Sequence, residues 1–536
     1  MTHQARMIPV IRTNLSHLPR QAALLWGPAP ALTYKNDTCS YAELWQRICG
    51  FAAGLQAIGL RRDDRVAVVL DKRIETVSAI FGTAAAGAVT VPINPLLKPQ
   101  QVAYILADCS VRVLVTSSER LGQLAEGLGG NTSIEHIVLV DQRTAADGVS
   151  HIDGCTLHRW MPMFGDTNAV PSTVTTVDSD IAAILYTSGS TGKPKGVVLS
   201  HRNLIVGAES VSHYLENTPG DTILSVLPLS FDAGLSQLTT AFNAGSHVVL
   251  MNYLLPNDVV RLCEKHKVTG ITGVPPFWIQ VANLNWPPDV AARLRYFANT
   301  GGRMPKATLD RLRTLFPQAL PYLMYGLTEA FRSTYLNPAE IDRRPDSIGK
   351  AIPNAEILVV RPDGSPCDPG EHGELVHRGP LVAIGYWNDP ARTAERFRPV
   401  PGRDASWRNP ELAVFSGDTV VRDEEGFLFF VGRRDEMIKT SGYRVSSTEI
   451  EEVAYGTGSV RDAVALGVED PVLGQRIVLV VSPMGDAPLD TSALQTALKR
   501  QLPQYMVPSS VVEMSAIPTT PNGKFDRVLL RDQFGS

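Results

Sequence analysis

The chain has 536 residues, of which 44% are hydrophobic and 19% are charged, so a largely disordered protein is excluded and a packed core spread over more than one domain is expected. The 50 Lys and Arg residues nearly balance the 54 Asp and Glu residues, which gives a net charge of −4. Because no dense run of Lys and Arg occurs either, the composition argues against a nucleic-acid-binding protein.

The six cysteines form no CxxC pair and no closely spaced group with histidine, so the sequence predicts neither a disulfide framework nor a zinc site. The first residues lack the apolar core of a secretory signal. The uncharged stretch 76–92 contains small and hydroxyl residues and ends at a proline, which favours a buried helix followed by a strand over a membrane span. We therefore expect a cytoplasmic protein with no membrane span.

Helix-like and strand-like segments alternate over the first four hundred residues or so. Apolar residues at helical spacing predict a helix over 41–60, and short apolar runs predict buried strands at 65–70, 111–115, 137–140, 181–186, 222–226 and 247–251. This alternation predicts a layered α/β fold with mainly parallel sheets. After about Ile348, short strands separated by turns predict an antiparallel or barrel-like subdomain, and the last hundred residues predict a small α+β domain.

A phosphate-binding loop is predicted at Tyr186-Thr-Ser-Gly-Ser-Thr-Gly-Lys-Pro-Lys-Gly196, directly after the strand 181–186. Glycines, hydroxyl residues and lysines at this density suit the wrapping of N–H, hydroxyl and ammonium groups around phosphate oxygens. It is not a Walker loop, because only two residues separate Gly189 from Gly192, and Pro194 follows the lysine.

This loop resembles the signature loop of the AMP-forming adenylating enzymes, a superfamily of acyl-CoA synthetases, amino-acid adenylation domains and luciferases. Four further segments resemble the family's motifs in the expected order: 325–329 (YGLTE), 416–419 (SGDT), 432–444 (GRRDEMIKTSGYR) and 521–524 (PNGK). The resemblance covers essentially the whole chain. The segments 325–350 and 437–452 look closest to bacterial stand-alone ligases known as exosortase-associated acyl-CoA ligases.

The resemblance implies a large N-terminal adenylate-forming domain at 1–433, with the barrel-like subdomain at about 348–433, and a small mobile α+β domain at 434–536. Asp435 matches the family's hinge, about which the C-terminal domain rotates. The implied reaction uses ATP and Mg²⁺ to adenylate a carboxylic acid. The acyl group is then passed to the thiol of CoA or of a carrier-protein phosphopantetheine.

Roles in nucleotide binding follow from the same resemblance. The residues implied to contact the β and γ phosphates are Thr187, Ser188, Ser190, Thr191 and Lys195, with Lys193 as a second candidate. Gly189 of the same loop is assigned to ATP or AMP binding. Thr328 and Glu329 are implied to contact the α-phosphate, and Glu329 to ligate Mg²⁺. The ribose is assigned to Asp418 and Arg433, for which a plain surface ion pair is the alternative. The remaining ATP or AMP contacts are assigned to Gly301, Gly302, Tyr325 and Gly326.

Two lysines are implied to act in different steps. Lys524, in an exposed turn, is expected to bridge the substrate carboxylate and the phosphate during adenylation. Lys439 is implied to act in thioester formation, where Gly442 leaves room for the phosphopantetheine arm. For Lys439, a solvated charge is the alternative.

The acid pocket is predicted around Phe231-Asp232, because amino-acid-activating members carry this pair and use the aspartate to bind the α-ammonium group. Local capping, or pairing of Asp232 with Arg332, is the alternative. The other predicted wall residues are Ala233, Ser236, Gly273, Asn299, Met324, Arg332 and Ser333. Small and polar residues dominate, so we expect an amino acid or another polar acid as substrate, with a fatty-acyl or aryl-CoA synthetase as the alternative. A catalytically dead scaffold protein and a luciferase-like oxidase are the competing classes.

Overall fold

The computed structural model describes residues 11–128, 133–141, 152, 154–187, 194–403, 406–407, 409–433, 437–440, 443–470, 473–485 and 489–534. The chain divides into two compact units, 1–252 with 383–390 and 253–382 with 391–536. The boundary predicted near residue 434 stays a prediction, since residues 434–436 lie outside the described ranges.

The helices of the described residues are, in chain order, α1 (His17–Trp26), α2 (Tyr41–Ala57), α3 (Ile74–Ala85), α4 (Pro99–Asp108), α5 (Ser118–Leu128), α6 (His201–Tyr214), α7 (Asp232–Ala244), α8 (Asn257–His266), α9 (Pro275–Val281), α10 (Pro288–Ala291), α11 (Lys306–Leu315), α12 (Pro390–Arg396), α13 (Ser447–Gly456), α14 (Thr491–Gln501) and α15 (Arg527–Phe534).

The strands of the described residues are β1 (Pro30–Tyr34), β2 (Asp37–Ser40), β3 (Arg65–Val69), β4 (Val89–Ile93), β5 (Val113–Thr116), β6 (His136–Leu139), β7 (Thr156–Arg159), β8 (Ile181–Thr187), β9 (Lys195–Ser200), β10 (Thr222–Ser225), β11 (His247–Leu250), β12 (Gly270–Gly273), β13 (Tyr296–Asn299), β14 (Leu320–Tyr325), β15 (Thr334–Leu336), β16 (Ser347–Ala351), β17 (Glu356–Val360), β18 (His372–Arg378), β19 (Gly385–Tyr386), β20 (Phe397–Pro399), β21 (Leu412–Arg422), β22 (Leu428–Arg433), β23 (Ile438–Thr440), β24 (Tyr443–Val445), β25 (Val460–Asp470), β26 (Gly474–Pro483) and β27 (Ser510–Glu513).

The first unit has a mostly parallel sheet in the order β19-β9-β8-β4-β3-β5-β6-β7, in which only the pairs β8/β9 and β9/β19 are antiparallel. A second group of strands runs in the order β10-β11-β1-β2, with β10, β11 and β1 parallel. The helix predicted at 41–60 is α2. It begins at a capping box formed by Ser40 and Glu43 and buries Leu44, Ile48 and Leu55 at helical spacing.

The second unit begins with three parallel neighbours, β12, β13 and β14. The sheet then continues in the order β15-β16-β22-β21-β18-β17, with every pair antiparallel and β20 added to β21. The antiparallel pairing expected after about Ile348 is therefore confirmed.

The last hundred residues of this unit form a small α+β layer. Its sheet has the order β24-β23-β26-β25, with β27 parallel to β26. Alternate residues of β25 and β26 face opposite apolar clusters, because side chains point alternately to the two faces of a strand. One cluster includes residues of α13 and α14, and the other includes Leu530 of α15.

The uncharged stretch 76–92 forms most of α3 and β4, as predicted. Among the described residues, none of the helices combines the length and the apolar character needed to cross a bilayer. The expected combination of a large α/β part and a small α+β part is confirmed.

Candidate active site

Asp418, the residue predicted to hold the ribose, is buried between a tyrosine and an arginine. It lies on β21 directly opposite Arg433 of β22, and Arg433 Nη1 is 3.5 Å from Asp418 Oδ1. The hydroxyl of Tyr325, the last residue of β14, donates a hydrogen bond to Asp418 Oδ2. The Asp418 side chain is only 6% exposed. The structure thus brings three of the predicted nucleotide-binding residues together.

The phenol of Tyr325 is held in its protonated form. Burial, and then the negative charge of Asp418, raise the pKa of Tyr325 well above its ordinary value of 10.0. A protonated phenol can donate to the carboxylate, whereas each carboxylate oxygen still has a second lone pair. Asp418 therefore keeps the capacity to accept hydrogen bonds from ribose hydroxyls.

Gly417 allows the backbone conformation that directly precedes Asp418. Its φ of +70° lies in the left-handed region, and an added Cβ would be 2.6 Å from Arg396 Nη1. The Gly417 N–H donates to Glu374 Oε1 at 3.0 Å, and Ser416 Oγ accepts from the Asp418 N–H at 3.1 Å. A side chain at position 417 would be strained, and the Arg396 guanidinium would have to move to make room for it.

Thr328 and Glu329 lie in a short 3-10 turn, Thr328–Ala330, just after β14, and both are buried. Phe331, which ends the turn, has a φ of +55°, which is a strained conformation for a bulky residue. Buried Arg332 follows it. Local strain of this kind persists only where the surroundings hold it, and it clusters at functional sites.

The side-chain oxygen atoms of Thr328 and Glu329 in this turn are suitable ligands for Mg²⁺. A carboxylate and a hydroxyl are hard oxygen ligands, and Mg²⁺ in nucleotide sites takes one or two protein carboxylates with phosphate and water oxygens for the rest. The buried carboxylate of Glu329 and the buried hydroxyl of Thr328 supply such a set. The chemistry of these residues therefore agrees with the implied metal.

Three of the predicted pocket residues lie where parallel strands end. Gly273 ends β12 opposite Asn299, which ends β13, and Met324 lies near the end of the neighbouring β14. Carboxyl ends of neighbouring parallel strands form the edge at which open α/β sheets bind ligands. Asn299 Nδ2 donates to the Gly302 carbonyl at 2.8 Å. Asn299 Oδ1 is buried and has no hydrogen bond within the described part of the chain.

Three predicted site glycines, Gly273, Gly301 and Gly326, show how closely the chain is packed near these strand ends. An added Cβ on Gly273 would be 2.3 Å from the Phe277 ring, and one on Gly326 would be 3.2 Å from Arg332 Cα. Gly301 has a φ of +74°. A side chain at position 273 would therefore collide with Phe277, one at position 326 would be tightly packed against the Arg332 backbone, and Gly301 has a backbone conformation that favours glycine.

Ser333 is fully buried, and its hydroxyl is 2.9 Å from His377 Nδ1 on β18. Burial lowers the pKa of His377 to about 3, so the imidazole is neutral. Within the described ranges, the other ring nitrogen, Nε2, makes no hydrogen bond. The Ser333 hydroxyl is therefore engaged by a histidine that sequence reasoning did not identify.

The predicted amino-acid-binding segment begins α7 in the first unit. Asp232, Ala233 and Ser236 lie in the first turns of this helix, and all three are buried. Asp232 is 4% exposed. A carboxylate in the first turn is stabilised by the helix dipole.

The two flanks of the predicted phosphate loop are held by side-chain contacts within the first unit. Tyr186 donates its hydroxyl hydrogen bond to the Asp108 carboxylate at the end of α4. Thr187 is the register partner of Lys195, whose Nζ is 3.0 Å from the Tyr386 hydroxyl and 4.5 Å from the centre of its ring.

Several predicted residues lie outside the described ranges. They are Ser188, Gly189, Ser190, Thr191 and Lys193 of the loop, Asp435 of the hinge and Gly442 of the thiol tunnel. Lys439 belongs to β23, where its backbone pairs with Arg444.

Lys524 is exposed at a tight turn of the second unit. The Gly523 N–H donates to the Thr520 carbonyl at 2.8 Å, and Gly523 has a φ of +79°. An added Cβ on Gly523 would be 3.4 Å from the Val274 side chain. The turn therefore lies against the residue that follows Gly273 at the end of β12.

Sequence reasoning missed an ion pair beside this turn. Glu451 Oε1, on α13, accepts hydrogen bonds from Arg527 Nη2 at 2.6 Å and from the Ala465 N–H at 2.8 Å. Arg527 begins α15, close behind Lys524 in the sequence. The repeated Glu of 449–452 is typical of a solvated helix face, and its spacing gives no signal of the partner.

Comparison with known proteins gives matches along most of the chain. The family model described as AMP-binding enzyme matches residues 19–387, and the one described as AMP-binding enzyme C-terminal domain matches residues 449–524. The chain is 32% identical, over 96% of its length and 95% of the relative, to an L-proline--[L-prolyl-carrier protein] ligase of Streptomyces coelicolor. It is 30% identical, over 97% of its length and 94% of the relative, to a long-chain-fatty-acid--CoA ligase of Salmonella typhimurium.

A third relative is much longer than the chain. It is a linear gramicidin synthase protein of Brevibacillus parabrevis, which is 30% identical over 93% of the chain. The chain spans only 9% of that relative.

Solved structures match this chain over nearly its whole length. ATP-bound MatB from Rhodopseudomonas palustris has a TM-score of 0.83 and 25% identity, with 98% of this chain and 99% of that one covered. The o-succinylbenzoate CoA synthetase of Bacillus subtilis, in complex with its acyl-adenylate intermediate, has a TM-score of 0.80 and 26% identity, with 96% and 98% covered.

Proposed function

We propose, from the premise that the chain belongs to the AMP-binding enzyme family and is an AMP-forming ligase, that its substrate is an amino acid or another polar acid. The acid is activated with ATP and Mg²⁺ and transferred to the thiol of CoA or of a carrier protein. The relatives include both carrier-protein and CoA ligases, so either thiol is consistent with the likeness.

In the first step, a carboxylate oxygen of the acid attacks the α-phosphorus of ATP. The bond to pyrophosphate breaks, and an acyl adenylate forms. Both reactants are anionic, so cations and oriented donors supply most of the stabilisation. We assign Lys524 to the substrate carboxylate and the α-phosphate, Lys195 to the outer phosphates, and Asp418 to the ribose.

Thr328 and Glu329 would hold Mg²⁺, which supplies charge neutralisation at the phosphates when it is bound. The support for this assignment is that both side chains are buried in one turn directly after Tyr325-Gly326.

In the second step, the thiol loses its proton and its sulfur attacks the acyl carbon, so a thioester forms and AMP leaves. We assign Lys439 and Gly442 to this step and Asp435 to the hinge between the two steps. These assignments rest on the motif at 432–444 alone.

The observation that carries the amino-acid proposal is the burial of Asp232. A carboxylate that is only 4% exposed attracts a nearby cation strongly, and a substrate ammonium group would add such a cation to the partners that Asp232 has within the protein. The neighbouring predicted pocket residues Ala233 and Ser236 are small or polar, which suits a polar acid better than a long alkyl chain.

A second candidate, an aryl-CoA synthetase, is favoured by a different observation. The ring of Phe277 presses against Gly273, and Trp278 packs edge-on against Phe277. These rings place an aromatic surface beside the end of β12, which suits a flat aromatic acid.

ATP–pyrophosphate exchange over amino, fatty and aryl acids tests the proposal. We expect exchange with amino or polar acids, and its loss in Lys524→Ala. Exchange only with aryl acids would favour the second candidate, and unchanged exchange in Lys524→Ala would contradict the mechanism. Mass spectrometry of products made with CoA and with a phosphopantetheinylated carrier protein identifies the thiol.

A further inference from the structure

Lys72 is a buried lysine that none of the assigned roles uses. It follows β3 in the first unit and is 6% exposed. Its Nζ donates to two main-chain carbonyl oxygens, at 2.9 Å to Ser225 and 3.0 Å to Leu227. Burial of an ammonium group is costly unless it is well hydrogen-bonded, and burial lowers the pKa of Lys72 to about 7. The position therefore needs a structural or functional reason.

The backbone of Lys72 is fixed as well. Its N–H donates to Asn252 Oδ1 at 2.9 Å, and Asn252 Nδ2 donates back to the Lys72 carbonyl at 3.0 Å. Asn252 follows β11, the parallel neighbour of β10. Lys72 thus joins the carboxyl end of β3 to the carboxyl ends of β10 and β11, which belong to a different group of strands. Ligands of α/β proteins bind at such strand ends.

The two carbonyls held by Lys72 lie at the start of the connection from β10 to α7. The far end of this connection is also fixed, because the Phe231 N–H donates to the Pro228 carbonyl at 3.1 Å. An added Cβ on Gly234 would be only 1.9 Å from that same Pro228 oxygen, so the connection lies directly on the helix. A shift at Leu227 would therefore be passed on to the first turn of α7, where Asp232 lies.

We propose that Lys72 is a positioning residue that sets the place of Asp232 and thereby the choice of acid. This inference rests on the proposed role of Asp232 in acid binding. Lys72 does not contact the acid. It holds the main chain that presents the carboxylate, and binding groups need placement within a fraction of an ångström.

The test is ATP–pyrophosphate exchange by Lys72→Met, which keeps the length of the side chain but removes its donors. We expect the KM for the acid to rise by about tenfold or more, while the KM for ATP changes by less than about twofold. Lys98→Met, at an exposed lysine of the same unit, is the matched control. Lys72→Gln keeps an N–H donor on a shorter chain and should restore part of the acid affinity.

A double-mutant cycle separates this inference from the proposed function. If Lys72 acts through Asp232, then Lys72→Met will raise the acid KM no further in an Asp232→Ala background. An Asp232→Ala variant with unchanged acid KM would overturn the proposed function itself. If Asp232→Ala raises the acid KM but Lys72→Met leaves it unchanged, or raises the acid and ATP KM values together, the inference about Lys72 is wrong. Should Lys72→Met not fold, the same comparison with Lys72→Gln decides.

Discussion

The hydroxyl of Tyr325, the last residue of β14, donates a hydrogen bond to the carboxylate of Asp418, which is buried within β21 of the same unit. The aromatic residue of the YGLTE motif is therefore tied to the aspartate of the SGDT motif by its hydroxyl. A phenylalanine at position 325 would keep the ring but lose this contact. The hydroxyl thus orients the Asp418 carboxylate, which is the proposed acceptor for the ribose hydroxyls.

Tyr325→Phe should accordingly weaken ATP binding through the ribose. A hydrogen bond to a charged group contributes about 1.5–3 kcal/mol, so we expect the KM for ATP to rise by roughly tenfold or more. The preference for ATP over 2′-deoxy-ATP and 3′-deoxy-ATP should fall as well. Pyrophosphate exchange with the three nucleotides measures both effects. Tyr322→Phe, at a buried tyrosine of the same strand, is the control. An unchanged preference among the nucleotides would show that the hydroxyl does not orient Asp418.

Gly417→Ala should damage nucleotide binding beyond its effect on stability. Gly458 has a nearly equal φ of +69° but open space around its Cβ position, whereas a Cβ at Gly417 meets Arg396. Both alanine variants should lose about 1–3 kcal/mol of stability from the strained backbone. Only Gly417→Ala should raise the KM for ATP. Thermal unfolding together with exchange kinetics makes the comparison, and equal KM values in the two variants would contradict it.

Arg527→Gln should separate the two chemical steps. The guanidinium ties the start of α15 to Glu451, and we expect its loss to disorder the placement of Lys524, which is assigned to adenylation only. Pyrophosphate exchange should fall at least tenfold, while thioester formation from a synthetic acyl adenylate should be retained. Arg531→Gln, at an exposed position of the same helix, is the control. A parallel fall of both steps in Arg527→Gln would contradict this account.

His377 should make the protein less stable in mild acid. Burial lowers its pKa to about 3 from the ordinary 6.5, so between these values the unfolded chain binds a proton that the folded protein does not. The contribution of neutral His377 to the free energy of unfolding is fully present above pH 6.5. It is lost as the pH falls towards 3, by up to ~1.4 kcal/mol per pH unit. His377→Gln should show a shallower loss of the denaturation midpoint between about pH 7 and pH 5. Identical pH slopes for His377→Gln and the unsubstituted protein would contradict the prediction.

Much of the fold could be predicted because its signals are local. The strand expected at 181–186 is β8, and the helix expected at 41–60 is α2, since apolar periodicity depends only on which face is buried.

The supports of the site could not be predicted in this way. Lys72, Glu451 and His377 lie next to polar or charged residues in sequence and look like solvated positions. Their burial is caused by partners far along the chain, such as Ser225 for Lys72 and Ser333 for His377. Only the three-dimensional packing shows that these groups are hydrogen-bonded inside the protein. Neither the composition nor the periodicity of the sequence predicts these hydrogen bonds.

The most direct measurement compares an amino acid with its analogue that lacks the α-amino group, in ATP–pyrophosphate exchange by the unsubstituted protein and by Asp232→Asn. We predict that the unsubstituted protein strongly prefers the amino acid, since the proposed role of Asp232 is to bind the ammonium group. The variant should lose that preference by about tenfold or more while its KM for ATP stays nearly unchanged. Equal preference in both proteins, or faster exchange with the analogue in the unsubstituted protein, would contradict the assignment of an amino-acid substrate.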